Sequence, residues 1–180
     1  MRRSTAGSAW WSRSRGLPRA AYASWRESLT ATPARPARIL AWAAGPGGFV
    51  IGSPVALSWG GEEGWTHVGW HEIERGGWNA ETASLSWTLH GGRRGSVTLD
   101  QAGRLPELFR ERIAATIALE RFVSVAGDRG VIVTARRDLA ADGAISWHSS
   151  LTRGLTWHSE GVQAAADRAM AELRSEYDLR

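Results

Sequence analysis

Short runs of alternating apolar and polar residues, separated by glycine- and proline-rich turns, restrict the fold of this chain more than any other feature. The cleanest example is SLSWTLH, at residues 84–90. Leu85, Trp87 and Leu89 fall on one side of an extended chain, and the polar residues between them fall on the other. A period of two residues is typical of a strand with one buried side. Repeated along the chain, it predicts antiparallel sheets made of consecutive hairpins.

Runs of this kind begin at about Arg38 and continue almost to the end of the chain. Besides residues 65–79, which are treated next, the predicted strands are residues 37–44, 49–53, 55–59, 84–90, 96–100, 121–125, 130–137 and 145–151. Two helices interrupt or follow them. One is predicted to begin near Pro106, since proline suits the first turn of a helix, and the other near Ser159, which can cap one. The order of strands and helices predicts an α+β fold.

Residues 65–79, WTHVGWHEIERGGWN, allow two interpretations. On a helix, His67 and His71 would share a side, as zinc ligands do. The glycines and β-formers favour a strand, on which the two histidines lie about 13 Å apart, too far for one metal ion unless the chain bends. We therefore predict strand and not helix for these residues. A small metal-dependent hydrolase that uses His67, His71 and Glu72 remains an alternative.

Two short motifs add a resemblance to a known family. In Trp70-His71-Glu72-Ile73, an aromatic and an aliphatic residue flank two polar positions. Ala135-Arg136-Arg137 is followed by a strand that contains tryptophan. These features resemble an uncharacterised group of actinobacterial proteins with a bacterial PH-like (pleckstrin-homology-like) domain. In such domains the first motif marks a bend between two strands, so the resemblance implies that residues 65–79 are two strand segments bent near Trp70–Ile73. The resemblance covers roughly residues 38–150, and it implies a fold, not an enzymatic activity.

The resemblance implies an antiparallel PH-like β-meander, or half-barrel, that is closed by a helix. This core is expected at about residues 38–118. A C-terminal β-hairpin and a terminal helix are predicted to follow at about residues 121–178. Residues 37–180 would then form a single globular domain after a leader at residues 1–36.

The positive charge of the chain is concentrated at its start. Residues 1–40 contain eight arginines and one acidic residue, a net charge of +7, whereas the rest contains fourteen arginines and seventeen acidic residues, a net charge of −3. A nucleic-acid-binding domain would carry a basic surface on the folded part, so nucleic acid is not an expected partner. The absence of cysteine excludes disulfides, thiolate zinc sites and cysteine nucleophiles.

The Arg-rich leader at residues 1–36 is expected to be either disordered or a weakly amphipathic helix. Apolar residues at helical spacing occur at Tyr22, Trp25 and Leu29. Arginine and tryptophan on such a helix suit an anionic membrane surface or the groove of a partner. Trp10, Trp11 and Trp25 would make these contacts. The sequence has no run of about 18 apolar residues, so no transmembrane segment is expected, and it has no apolar signal-peptide core.

Two arginine pairs in the predicted core are candidate ligand or partner contacts. Arg93 and Arg94 lie at a hairpin tip, and Arg136 and Arg137 end a strand. Guanidinium groups bind phosphate and carboxylate through two parallel hydrogen bonds, although such pairs also occur as solvated surface. Neither a phosphate loop nor a nucleophile elbow is present, so neither enzymatic activity nor a cofactor is expected.

The predicted function is a non-enzymatic, cytoplasmic binding or scaffold module for a protein partner. The alternative is a peripheral adaptor at the inner face of the membrane, attached through the leader.

Overall fold

The structure is a computed structural model that describes residues 16–29, 38–61, 63–140 and 143–177. Within these ranges it contains three helices and three antiparallel sheets, which confirms the α+β class. The helices are α1 (Arg19–Ser28), α2 (Leu105–Thr116) and α3 (Val162–Glu176). The strands are β1 (Ala41–Gly45), β2 (Gly48–Gly52), β3 (Ala56–Gly61), β4 (Gly64–Gly69), β5 (Ile73–Asn79), β6 (Ser84–Leu89), β7 (Arg94–Thr98), β8 (Ile117–Ala126), β9 (Arg129–Arg137) and β10 (Ile145–Leu151).

The first seven strands follow one another as an antiparallel meander. Strands β1 to β4 form one sheet in chain order, and β5 to β7 form a second sheet in chain order. Tight turns make this order possible. After the turn between β1 and β2, for example, β2 begins at Gly48 with a φ of 109°, a left-handed backbone conformation that glycine adopts without steric cost. The predicted meander is therefore confirmed for this part of the chain.

The stretch at residues 65–79 consists of two strands joined by a single 3₁₀ turn. Trp70 in this turn is fully buried, and its indole Nε1 donates a hydrogen bond to the carbonyl oxygen of Ser53 over 2.9 Å. The carboxylate of Glu72 accepts a hydrogen bond from the backbone N–H of Gly69 over 2.6 Å. These contacts hold the chain where it passes from the first sheet to the second. The predicted bend is confirmed.

Helix α2 closes the apolar space between the first two sheets. The ring of Phe109 meets the ring of Trp70 edge-on, at 6.0 Å between centroids and 80° between planes. Pro106 lies in the first turn of the helix, as predicted. The buried residues of this first core are Ala43, Val50, Leu57, Val68, Trp70, Ile73, Leu85, Trp87, Leu89, Leu99, Leu105 and Phe109.

A second core lies between the third sheet and α3. The strand order of this sheet is β10–β9–β8. Its buried residues are Val131, Val133, Val162, Ala166, Ala169 and Leu173. The strands predicted at residues 121–125, 130–137 and 145–151 are present as β8, β9 and β10, but β8 begins earlier than predicted, at Ile117, immediately after α2. Two register shifts in β8, one between Ile117 and Leu119, interrupt the alternation and hide the strand start from a sequence pattern.

Helix α1 packs against β3 and β4, on the side opposite the first core. The indole Nε1 of Trp65 donates a hydrogen bond to Ser24 Oγ over 3.1 Å. Ser28 Oγ lies 3.1 Å from His67 Nε2. The helix forms inside the predicted leader, but it contacts the chain's own sheet, so the leader is not separate from the domain at these residues.

Trp25 was predicted to contact a membrane or a partner, and the structure corrects this prediction. Its side chain is 0% exposed, because the apolar side of α1 lies on the sheet. The other two predicted leader contacts, Trp10 and Trp11, lie outside the described residues.

Candidate functional site

The outer side of the second sheet carries two arginines in one row across its strands. Arg75 on β5 is paired with Thr88 on β6, which is paired with Arg94 on β7. Leu85 and Trp87 of β6 point into the first core, so the residues that alternate with them face away from it. The next row on the same outer side consists of Gly77, Ser86 and Ser96. We call these six outward-facing residues the arginine face.

The arginine face forms a shallow depression with a volume of about 640 Å³. Strand spacing places the Cα atoms of Arg75 and Arg94 about 10 Å apart, so both long side chains can reach one group above Thr88. Among the described residues that line the depression, none is acidic. The arrangement offers two guanidinium groups and several hydroxyl groups to an anion on an open, flat surface.

Both arginines of this face are accessible to a ligand. The side chain of Arg75 is 70% exposed, and its Nη1 lies 3.9 Å from the carboxylate of the neighbouring Glu74. An exposed pair at this distance contributes at most about 1 kcal/mol, so an external carboxylate can replace it. Arg94 is exposed as well.

The structure separates the predicted pair Arg93 and Arg94. Arg94 lies on the arginine face, whereas Arg93 lines a different cavity of about 450 Å³, together with three histidines. Arg93 belongs to the turn before β7, where its carbonyl oxygen accepts a hydrogen bond from the N–H of Leu89 over 2.8 Å. The two neighbours therefore cannot bind one group together.

Three histidines connect the two cores, and we call them the histidine junction: His71, His90 and His148. The rings of His90 and His148 are stacked, with 3.6 Å between centroids and 8° between planes. His90 follows β6 of the first core, and His148 belongs to β10 of the second. His71 Nδ1 lies 3.3 Å from the carboxylate of Asp138, close to it but not aligned as a hydrogen bond.

The surroundings of the stacked rings favour their neutral forms. Burial is the main cause that lowers the pKa of His90 to about 4, and charge repulsion from Arg136, and from His148 and His71 when these are protonated, contributes to the same shift. Burial also lowers the pKa of His148 from 6.5, with further contributions from Arg136 and His71. Both rings are therefore neutral at pH 7 and can stack without charge repulsion.

Arg136 was predicted to contact a ligand or partner, and the structure corrects this prediction as well. Its side chain is only 5% exposed. Its guanidinium donates hydrogen bonds to Ile113 O at 3.1 Å, Thr116 Oγ1 at 2.9 Å and Glu74 O at 3.3 Å. Burial lowers the pKa of the Arg136 guanidinium below its ordinary value, against the opposing effect of the carboxylates of Glu120 and Glu74. Arg136 joins β9 to α2 and β5, whereas its neighbour Arg137 is exposed.

The ligands of the metal hypothesis are not brought together. His67 is held under α1, with Nδ1 at 2.8 Å from Ser58 Oγ, and burial lowers its pKa from 6.5. His71 lies beyond the bend, beside Asp138. Within the described ranges, no group of three or more histidine, aspartate or glutamate residues is arranged to hold a metal ion.

Three functional candidates of the structure were missed in the sequence: Arg75, His90 and His148. Arg75 could have been found by pairing the predicted strands. In the observed register Thr88 lies between Arg75 and Arg94, so the two arginines share one cross-strand row. His90 and His148 belong to different sheets, and no spacing along the sequence indicates that their rings meet.

Comparison of the chain with protein-family models, with curated proteins and with solved structures gave no match. In the part of the chain that the structure describes, no helix has the length and apolar character needed to span a membrane.

Proposed function

We propose that this chain is a non-enzymatic binding module of PH-like architecture, and that its arginine face binds an acidic, extended segment of a protein partner. The architecture is supported by the order of elements, four strands and then three strands in two sheets closed by α2. The binding surface is supported by one observation above all, the cross-strand row of Arg75, Thr88 and Arg94.

The chemistry of this row favours carboxylates. A guanidinium group forms two parallel hydrogen bonds with one carboxylate, and two such groups about 10 Å apart suit two acidic side chains, or one carboxylate held from both sides. The hydroxyl groups of Ser86 and Ser96, in the next row, lie where the backbone of the same segment would pass.

The shape of the surface favours an extended peptide. The rows are built from glycine, serine and threonine between the two arginines, so no large side chain interrupts the depression. Successive rows on one side of a sheet are separated by about 7 Å, which is the repeat of alternate side chains in an extended chain. A segment that runs along the strands can therefore place one carboxylate between Arg75 and Arg94, and its next residue but one over Ser86 and Ser96.

The proposal is tested with a fluorescently labelled poly-glutamate peptide, whose binding to the full chain is followed by fluorescence polarisation at low salt. We expect binding that weakens as salt is added, since exposed charges are screened. Arg75→Glu together with Arg94→Glu should weaken it by roughly tenfold or more, because two attractive contacts become repulsive.

The matched control is Arg168→Glu, which reverses an exposed arginine on α3, remote from the arginine face. It should leave the affinity within about twofold, as expected for a single distant surface charge. Equal loss in this control, or no binding by the wild type, would reject the proposal. Tighter binding of a single-stranded oligonucleotide of equal net charge would reject the assignment to a protein partner.

A further inference from the structure

The junction between the two cores is polar and depends on the charge of two rings. His90 and His148 contribute one stacked imidazole from each side. The buried Nε2 of His90 has no hydrogen-bond partner among the described residues, so a proton at this nitrogen would be buried without an acceptor. The stack therefore suits neutral rings and does not suit charged ones.

The charged groups around the stacked rings determine whether a protonated ring would be stabilised there. The first two sheets contribute His71 and Glu72 from the 3₁₀ turn, Glu74 from β5 and Arg93 from the turn before β7. The third sheet contributes Glu120 from β8, in the cross-strand row of His148, Arg136 from β9, and Asp138 from the residues after β9. The four carboxylates already have partners, and Glu120 acts on Arg136. Glu72 accepts from Gly69 N–H, Asp138 accepts from Ala140 N–H and contacts His71, and Glu74 lies beside Arg75.

The charge of Arg136 acts on both rings, and its guanidinium donates hydrogen bonds to three oxygen acceptors. Two imidazolium rings whose centroids are 3.6 Å apart would thus repel each other and the same guanidinium. This repulsion decreases most when the two rings move apart. His90 follows a strand of the second sheet and His148 lies on the third sheet, so the rings part when the third sheet moves away from the first two. This movement also breaks the hydrogen bonds that Arg136 donates to α2 and β5.

We infer that the histidine junction is a proton-operated clasp that holds the third sheet and α3 against the first core when its rings are neutral and releases them in acid. Opening widens the cavity of about 450 Å³ that Arg93, His71 and Ser146 line. The buried residues of each hydrophobic core come from its own elements, and Leu139, which follows β9, leaves the first core when the third sheet moves.

The pH range over which the clasp opens follows from the direction in which the pKa values of His90 and His148 are shifted. The pKa of both rings is lower in the folded chain than 6.5, so the closed form binds fewer protons than a form with free rings. Closure is favoured above pH 6.5 and is lost as the pH falls toward about 4.

The clasp is tested by a distance measurement across the junction. The chain contains no cysteine, so Ala80→Cys after β5 and Ala171→Cys on α3 provide two exposed labelling sites in the full chain. Pulsed electron paramagnetic resonance then gives the distance distribution between two spin labels. We expect one narrow distribution at neutral pH that broadens and lengthens between pH 6.5 and about 4, while far-ultraviolet circular dichroism keeps its neutral-pH signal.

The deciding variant is His90→Phe with His148→Phe, which keeps two flat rings and removes both protonation sites. Its distribution should stay narrow over the same pH range, and the exposed control His158→Gln should open like the wild type. A wild type that stays closed to about pH 4, a phenylalanine variant that opens at the same pH, or simultaneous loss of the circular dichroism signal would overturn the clasp.

If the phenylalanine variant does not fold, nuclear magnetic resonance of the wild type decides the question. The ring signals of His90 and His148 should titrate together, over the pH range in which the distance distribution broadens. Titration of these rings without broadening, or broadening without their titration, would contradict the inference.

Discussion

Arg136 Nη1, on β9, donates a hydrogen bond over 2.9 Å to the hydroxyl group of Thr116, the last residue of α2. This contact links the strand of one core to the helix of the other. The same guanidinium reaches the carbonyl oxygens of Ile113 and Glu74, so one buried side chain holds three separate elements. The two cores are therefore joined through polar groups, which makes their contact sensitive to single substitutions.

Arg136→Met should lower the free energy of unfolding by about 2–3 kcal/mol, because it leaves buried carbonyl oxygens without donors. Urea denaturation at neutral pH measures this change. Arg137→Met, at the exposed neighbour, should change stability by less than about 0.5 kcal/mol. Similar losses in the two variants would show that the buried hydrogen bonds do not hold the junction.

Trp25→Ala should lower the free energy of unfolding by about 3–5 kcal/mol, the usual range when a large aromatic side chain is removed from a packed site. Hydrogen exchange should show at the same time that α1 and β4 lose protection. The matched control is Trp157→Ala, at a tryptophan that is 41% exposed, and it should cost less than about 1 kcal/mol. If Trp25→Ala is as stable as the control, α1 does not dock on the sheet.

The alternating pattern predicted the strands of the first two sheets because each strand has one buried side, and a period of two residues records this directly. The bend at Trp70–Ile73 was predicted from the resemblance, in which an aromatic and an aliphatic residue three positions apart mark the passage from one strand to the next. The start of β8 at Ile117 was not, since its register shifts displace the pattern. The surface on which α1 packs was also not predictable, because the pattern of an amphipathic helix shows that it has an apolar side but not which surface covers that side.

The candidate sites were less accessible to sequence reasoning than the strands. Arg94 could be named because it follows a recognisable turn, but its partner Arg75 lies two strands away. Arg136 and Arg137 are adjacent in sequence and have opposite environments, since neighbours on a strand point to opposite sides. Composition does not decide which of the two is buried.

Two adjacent glycines on β5 provide a sharp test of the face assignment. A Cβ atom added to Gly76 would meet Ser86 O at 2.5 Å and the ring of Phe109 at 2.7 Å, whereas one added to Gly77 meets no atom within 4 Å. Gly76→Ala should therefore lower the free energy of unfolding by about 1–3 kcal/mol, because the added methyl group overpacks the core. Gly77→Ala should be neutral or slightly stabilising. If Gly77→Ala were the more destabilising of the two, the core would lie on the other side of the second sheet and the face assignment would be wrong.

The stability of the chain should decrease as the pH falls from 6.5 toward about 4. Burial lowers the pKa of His67, His90 and His148 in the folded chain, so the unfolded chain binds more protons over this range. Urea denaturation at a series of pH values measures the slope. His90→Gln should flatten it, even if this variant is less stable at neutral pH. A wild type whose stability is constant or increases over this range would contradict the assignment of neutral buried rings.

Arg93→Glu and Arg94→Glu differ by one position and should differ in their effect on poly-glutamate binding. Arg94 shares the row of Arg75 and Thr88, whereas Arg93 lines the cavity of the histidine junction. Arg94→Glu should weaken binding by about three- to tenfold, the effect of losing and reversing one exposed ion pair. Arg93→Glu changes the net charge by the same amount. It should weaken peptide binding by less than about twofold, because it alters only the long-range electrostatic attraction, which salt screens. Fluorescence polarisation with the same peptide separates the two. Equal weakening would mean that the peptide responds to the charge of the whole chain and not to the arginine face.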